Sequence, residues 1–139
     1  MSLYSQFKTD KSIETEGVVL EYGKTDDGKI ISIRIARAGG ANLRYTKLLE
    51  AAIKPYRRQL QNETMDNDIA ETITQRVYAQ GVILGWENVQ DADGKDMAFN
   101  VDNCLKLFKD LPDLWSDIQS QANRAALFRQ EILEADSKN

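Results

Sequence analysis

The hydrophobic positions of this chain change period several times, and the changes divide it into a hairpin followed by helices. Residues 1–16 are polar and aperiodic, which predicts a loosely held tail. From residue 17 the pattern becomes that of strands. The runs GVVLEY (17–22) and IISIRIAR (30–37) are rich in β-branched residues and flank GKTDDGK, whose Asp27-Gly28 supplies the positive φ of a hairpin turn. In the second run Ile31, Ile33 and Ile35 share one face and Ser32, Arg34 and Ala36 the other, the alternation of a half-buried strand. An isolated two-stranded hairpin is marginal in water, so its apolar face is expected to lie on helices or on another subunit.

Beyond Ala38-Gly39-Gly40 the period lengthens. Asn42 is placed to cap a helix carrying Leu43, Leu48, Leu49, Ala52 and Ile53, and Pro55, which lacks an amide donor, is expected to kink or restart it before Tyr56-Arg57-Arg58. A second helix is predicted from about Asp66 or Asp68 to Leu84, with Ile69, Ile73, Val77 and Leu84 on one stripe and Gly85 as its stop. Residues 87–99 read as a connection with a small second hairpin centred on Asp93-Gly94. Asn100 caps a third helix bearing Cys104, Leu105, Leu107, Phe108 and Leu111, and Pro112 restarts the chain. The last helix is predicted from Pro112 to Glu134, with Leu114, Ile118, Ala122, Ala125, Phe128 and Ile132 spaced as one amphipathic stripe. The expected fold is therefore mainly α in an α+β sense. One domain over 17–134 joins a hairpin (17–37) to about four helices (42–134), between a flexible N-terminal tail (1–16) and a C-terminal one (135–139).

Length and composition leave that picture intact. A chain of 139 residues suits one domain with a real core. With 42% hydrophobic and 29% charged residues it has the make-up of a globular protein. A net charge of -4 provides no overall basic field for phosphates, so nucleic acid is not an expected partner. The longest apolar run, Gly81 to Trp86, is far short of the roughly 20 residues of a membrane span, and MSLYSQFKTDK lacks the apolar segment of a signal peptide. A cytosolic protein is expected, and the lone Cys104 fits a reducing compartment.

Candidate chemistry is thin. Histidine is absent, which excludes Ser-His and Cys-His catalysis and removes the commonest transition-metal ligand. The acids are scattered, no pair being forced together by spacing, so no enzyme is expected and no catalytic, cofactor or metal residue is assigned. Asp91-Ala92-Asp93-Gly94-Lys95-Asp96 resembles part of a calcium loop, but its glycine comes fourth instead of sixth and Asp102 stands where a bidentate glutamate belongs, so a tight acidic turn is expected. Gly81 and Gly85 are not followed by the Lys-Ser/Thr of a phosphate loop. Arg57-Arg58, with Arg44 and Lys47 upstream, reads as a solvated helix end, with an acidic partner or RNA as the sharper alternative. Cys104 falls on the apolar stripe of its helix, the place of a small buried hydrophobe. Trp86 and Trp115 suit a core, and aromatic residues also anchor interfaces. Aromatic anchors near loops make Tyr56, Trp86 and Phe99 the candidate partner-binding residues.

The order of these motifs carries more than any one of them. A hairpin ending in IRIARAGG, a helix with KPYRRQL, then VILGWENVQDADGK, AFNVDNCLKLFKDLPDLW, ALFRQE and a final SKN together resemble the tail assembly chaperones of long-tailed, non-contractile bacteriophages, over roughly residues 16–139. The resemblance implies a small, acidic, mainly helical protein of the host cytoplasm. Such a protein binds the tape measure protein, promotes tail tube polymerisation around it and does not stay in the virion. It also implies a longer form made by ribosomal frameshifting, through which the tail tube protein is engaged. Ser137-Lys138-Asn139 permits such an event, since Lys-Asn can be encoded by AAA AAC. A homo-oligomer is expected, because repeating one small subunit along an apolar client adds avidity. Two other classes remain open: a small acidic prophage adaptor or regulatory protein that binds a host protein, and, behind it, a carboxylate-based enzyme.

Overall fold

A computed structural model describes residues 1–129. In order the chain forms α1 (Leu3–Phe7), α2 (Lys11–Glu16), β1 (Val18–Lys24), β2 (Ile30–Ile35), α3 (Leu43–Ile53), a 3-10 turn (Lys54–Tyr56), α4 (Arg57–Gln61), α5 (Asn67–Gly81), β3 (Ile83–Glu87), α6 (Val101–Asp110), α7 (Pro112–Ala122) and a second 3-10 turn (Ala125–Phe128). The fold is α+β and mainly helical. Short elements make its helices more numerous than the four expected.

The hairpin is not left to itself. β1, β2 and β3 form an antiparallel sheet in that order, with Leu20 opposite Ile33 and Ile33 opposite Trp86. Directly paired residues share a face, so Val18, Ile33, Ile35 and Ile83 are buried together beneath the helices, while Val19 and Arg34 face solvent. The predicted helix through Leu84 therefore ends earlier, at Gly81. The run Val82-Ile83-Leu84 suits either period, and pairing with β2 decides for a strand. A register shift between Arg34 and Ile35 leaves Leu84 as the extra residue of a bulge, exposed instead of on the expected stripe.

Local signals place the helix starts. Asn42, Asp66 and Asn100 each accept a backbone N–H with the side chain, capping α3, α5 and α6. Pro55 converts the end of α3 into the 3-10 turn before α4, and Pro112 opens α7. α5 is central: α3 packs on one side of it and α6 on another, and α7 packs on α6. At the crossing with α3, a Cβ on Gly81 would stand 2.8 Å from Leu48 Cδ1 and 3.3 Å from Tyr45 Cα, so the two helices approach there as only glycine allows. A file of rings, Tyr45, Tyr78, Trp115 and Phe108, runs through the helical layer with centroid separations of 5.8, 4.9 and 4.7 Å.

Two expectations about the ends are corrected. The segment 1–16, expected to be a loose tail, divides in two: α1 buries nothing, but α2 is packed, with Glu14 only 2% exposed. Glu14 accepts from the Thr9 hydroxyl and the Ala41 amide and pairs with Arg37 at 3.2 Å, and its carbonyl accepts from the Arg37 amide at 2.9 Å. Gly40, at φ +55°, leaves room for that carboxylate; a Cβ there would collide with it. The predicted helix from Pro112 stops at Ala122. Asn123 turns its side chain onto the Gln119 carbonyl (2.8 Å) and the Tyr78 hydroxyl (3.0 Å), and the following 3-10 turn brings Phe128 back into the core at 0% exposed. The Asp10 amide then donates to the Phe128 carbonyl at 3.0 Å. The expected continuation to Glu134 with Ile132, the tail 135–139 and the slippery Ser137-Lys138-Asn139 lie outside the described residues.

Candidate functional site

Of the three candidate aromatic residues, the structure brings two together. Trp86 on β3 is half-buried; its indole N–H donates to the Met97 carbonyl at 2.9 Å, and its ring meets Phe99 edge to face at 5.2 Å. This pair clips the 88–100 connection to the sheet. Phe99 keeps 39% of its surface exposed. Tyr56 belongs to the 3-10 turn between α3 and α4 and does not join them.

Below that clip the sheet, the connection and the α6–α7 corner diverge and leave a groove of about 420 Å³. Its floor is apolar: Ile31 and Ile33 from β2, Val89 from the connection, Leu107 from α6, Leu111 at the corner and Leu114 from α7. Its rim is polar, with Tyr22, Lys24, Thr25, Asp26, Gln90 and Asp91. Leu111 is 48% exposed. The volume lies within the roughly 300–1,000 Å³ of ordinary binding pockets, and an apolar floor with a few polar groups at the edge is the usual chemistry of such sites.

Each lip is held by a turn that uses up its own polar groups. In the hairpin turn the Lys29 amide donates to the Thr25 hydroxyl oxygen at 3.1 Å, and that hydroxyl in turn donates to Asp27. In the second lip Asp91 accepts from the amides of Asp93 (2.9 Å) and Lys95 (3.0 Å), and a bridge between Gln90 and Asp96 closes the small hairpin that the Asp93-Gly94 pair predicts. These amides, Lys95 first, hold the Asp91 carboxyl below its ordinary range. The Asp91 carboxylate is thus spent on stabilising a tight turn, as its glycine spacing implies. The Tyr22 hydroxyl donates to Asp117 at 2.7 Å, tying β1 to α7; burial and then Asp117 push this phenol well above its usual range. Cys104 is fully buried behind the floor, and burial pushes its thiol up to about 12.

Sequence reasoning missed the groove. Leu111 reads as the last apolar residue of a helix, and nothing local indicates that Ile31, Val89 and Leu107 converge on it.

Residues 39–139 match the family model described as YdaY prophage protein. The chain belongs to the YdaY prophage protein family. The match takes in 101 of 139 residues, from the turn before α3 onwards, and so includes β3, α6, α7 and the second lip of the groove. Membership makes this a phage-associated protein. No curated protein and no solved structure matches the chain. No helix among the described residues is long and apolar enough to cross a membrane.

Proposed function

We propose that this YdaY-family protein is a tail assembly chaperone that binds the tape measure protein in the host cytoplasm and promotes tail tube polymerisation around it, without remaining in the virion. The groove between the hairpin and the α6–α7 corner is the observation that supports the reading. A long helical client exposes apolar stripes before the tube encloses it, and residues at i and i+4 of such a stripe can be laid into an open channel floored by Ile31, Leu107, Leu111 and Leu114. Asp26 at the rim favours a stripe flanked by lysine or arginine. One groove of this size binds modestly, and many copies along one client supply the affinity. The order of motifs from IRIARAGG to SKN supports the same role, and a longer frameshifted form engaging the tail tube protein belongs to it.

Co-expression with the tape measure protein of the same prophage tests this. The client is expected to become soluble and to copurify with the chaperone at moderate salt, because apolar contact supplies most of the affinity. Leu111→Asp, at an exposed position where substitutions alter stability by only about 0.5 kcal/mol, should abolish copurification while the unfolding midpoint stays put. A client that remains insoluble, or that binds only at very low salt, refutes the proposal and leaves the adaptor reading, in which a host protein is bound instead.

A further inference from the structure

The net charge of -4 averages over a chain whose cations are unevenly placed. Between residues 42 and 61 five of them, Arg44, Lys47, Lys54, Arg57 and Arg58, accompany one acid, Glu50, while the rest of the chain holds thirteen cations against twenty-one acids. All five are exposed. α3 turns Tyr45 and Leu48 towards Gly81 of α5 and leaves Arg44 and Lys47 in solvent, and α4 buries no residue at all. Lys47, Ala51 and Lys54 follow the i, i+4, i+7 spacing of one helical face and, with Glu50 and Arg57, line one shallow depression. Among the described residues the ion pairs are Arg37 with Glu14 and Lys29 with Asp27, so none of the five has a carboxylate partner there. Arg44 gives its Nε to the Gln80 carbonyl at 2.9 Å, which leaves Lys47, Lys54, Arg57 and Arg58 as the available cations.

What such an arm recognises follows from what it lacks. A protein interface is built around an apolar centre with a polar rim, whereas an interface with nucleic acid is polar and strongly positive. From Arg44 to Arg58 the exposed positions hold the five cations, Glu50, Ala51 and Pro55, with no large apolar side chain among them. Leu43 and Leu60, exposed by 61% and 43%, flank this stretch and do not fill its centre. Tyr56, partly exposed, stands between Lys54 and Arg57, an aromatic ring of the kind on which a base stacks. A helix that reads a duplex groove presents its N-terminal residues to the bases. That end of α3 is closed off by its capping Asn42, which is 6% exposed, and Pro55 interrupts the row of cations before α4. Phosphates along a pliant strand suit the arm better than base edges in a groove.

We propose that the α3–α4 arm binds the phosphate backbone of single-stranded nucleic acid, without base specificity, through Lys47, Lys54, Arg57 and Arg58. The expectation drawn from overall charge does not hold for this one surface. No residue of the groove takes part and no client is needed, so this proposal and the tail-assembly reading stand or fall separately.

The experiment is fluorescence anisotropy of a labelled oligothymidine or oligouridine strand of about 16 nucleotides, titrated with the full chain. Each phosphate neutralised on a single strand contributes about 0.7 to the slope of log affinity against log salt, so four cations predict a slope of about -3. Raising the salt from about 50 to about 200 mM should therefore weaken binding about 50-fold. DNA and RNA strands should bind alike, since no contact to the 2′-hydroxyl is involved. K47Q/K54Q/R57Q should bind about tenfold more weakly at low salt and flatten the slope by about 2. K8Q/K106Q/K109Q removes the same charge from exposed positions elsewhere and should behave as the parent. Unchanged circular dichroism and unfolding midpoints establish that both variants fold, and the salt slope of the parent requires neither. No binding below about 100 μM protein at about 50 mM salt, a slope shallower than about -1, or equal losses in the two variants each overturn the proposal. So does capture of polyglutamate in place of the oligonucleotide, which assigns the arm to an acidic protein.

Discussion

Replacing Asn42 by alanine is the most informative single test of how this fold is held. The side chain is 6% exposed and is engaged at both ends. Its oxygen accepts the Tyr45 amide as the cap of α3, and its Nδ2 donates to the Arg37 and Gly81 carbonyls, each at 2.8 Å. Losing a helix cap costs about 1 kcal/mol. Leaving the buried Gly81 carbonyl and the part-buried Arg37 carbonyl without this donor costs about 1 kcal/mol each at the low end of the usual range. The sum, about 3 kcal/mol, should lower the melting temperature by roughly 10 °C in a domain of this size. Urea unfolding followed by the fluorescence of Trp86 and Trp115 measures it, with the slope unchanged if only the native state has been weakened. Asn42→Asp separates the two contributions, because it keeps the capping oxygen and turns a second oxygen towards the two carbonyls. It is expected to be at least as unstable as Asn42→Ala at neutral pH. An alanine variant within about 0.5 kcal/mol of the parent, or a stable aspartate variant, would show that the carbonyls find other partners and that the bridge between the β2 exit and α5 is not needed.

Three further outcomes follow from named contacts. Gly81→Ala forces a methyl against Leu48 and the Tyr45 backbone, so α3 must move; a loss of about 1–3 kcal/mol in urea unfolding is expected, and none would mean that the crossing is loose. Burial opposes the charge on Glu14, but the Thr9 hydroxyl, the Ala41 amide and Arg37 outweigh it and hold its pKa below the ordinary 4.5. The stability so gained is present at neutral pH and lost as pH falls through the folded pKa, so Glu14→Gln should flatten the stability profile below about pH 4.5, and parallel profiles would refute this. Cys104, fully buried with its thiol pushed up to about 12, should react with a thiol reagent at pH 8 far more slowly in the native protein than in urea; equal rates would place it at the surface.

What was legible in the sequence was local. Asn42, Pro55, Asn100, Pro112 and the two Asp-Gly turns act on residues three or four positions away, and each stands where its chemistry predicts. β3 was not legible, because Val82-Ile83-Leu84 extends a helical stripe as readily as it forms a strand, and only β2, nearly fifty residues earlier, decides between them. The packing of α2 escaped for the same reason: Glu14 looks like any surface glutamate until Arg37 and Ala41 are brought to it. The break at Asn123 is a competition between a good apolar stripe and one side-chain amide, which the position of Tyr78 resolves. For the site, aromatic residues near loops led to Trp86 and Phe99, which do meet, and to Tyr56, which does not join them. The groove required four separate segments to converge.

The hydrogen bond from Asp10 to Phe128 has a topological meaning. It closes residues 10–128 into nearly a ring, and in a ring the position of the break is arbitrary. The contacts among the described residues could be spelled by a permuted chain that begins in the Asp93-Gly94 turn and joins its former ends through a linker. It also means that residues 10 and 128, more than a hundred positions apart in the message, share one neighbourhood beside α2.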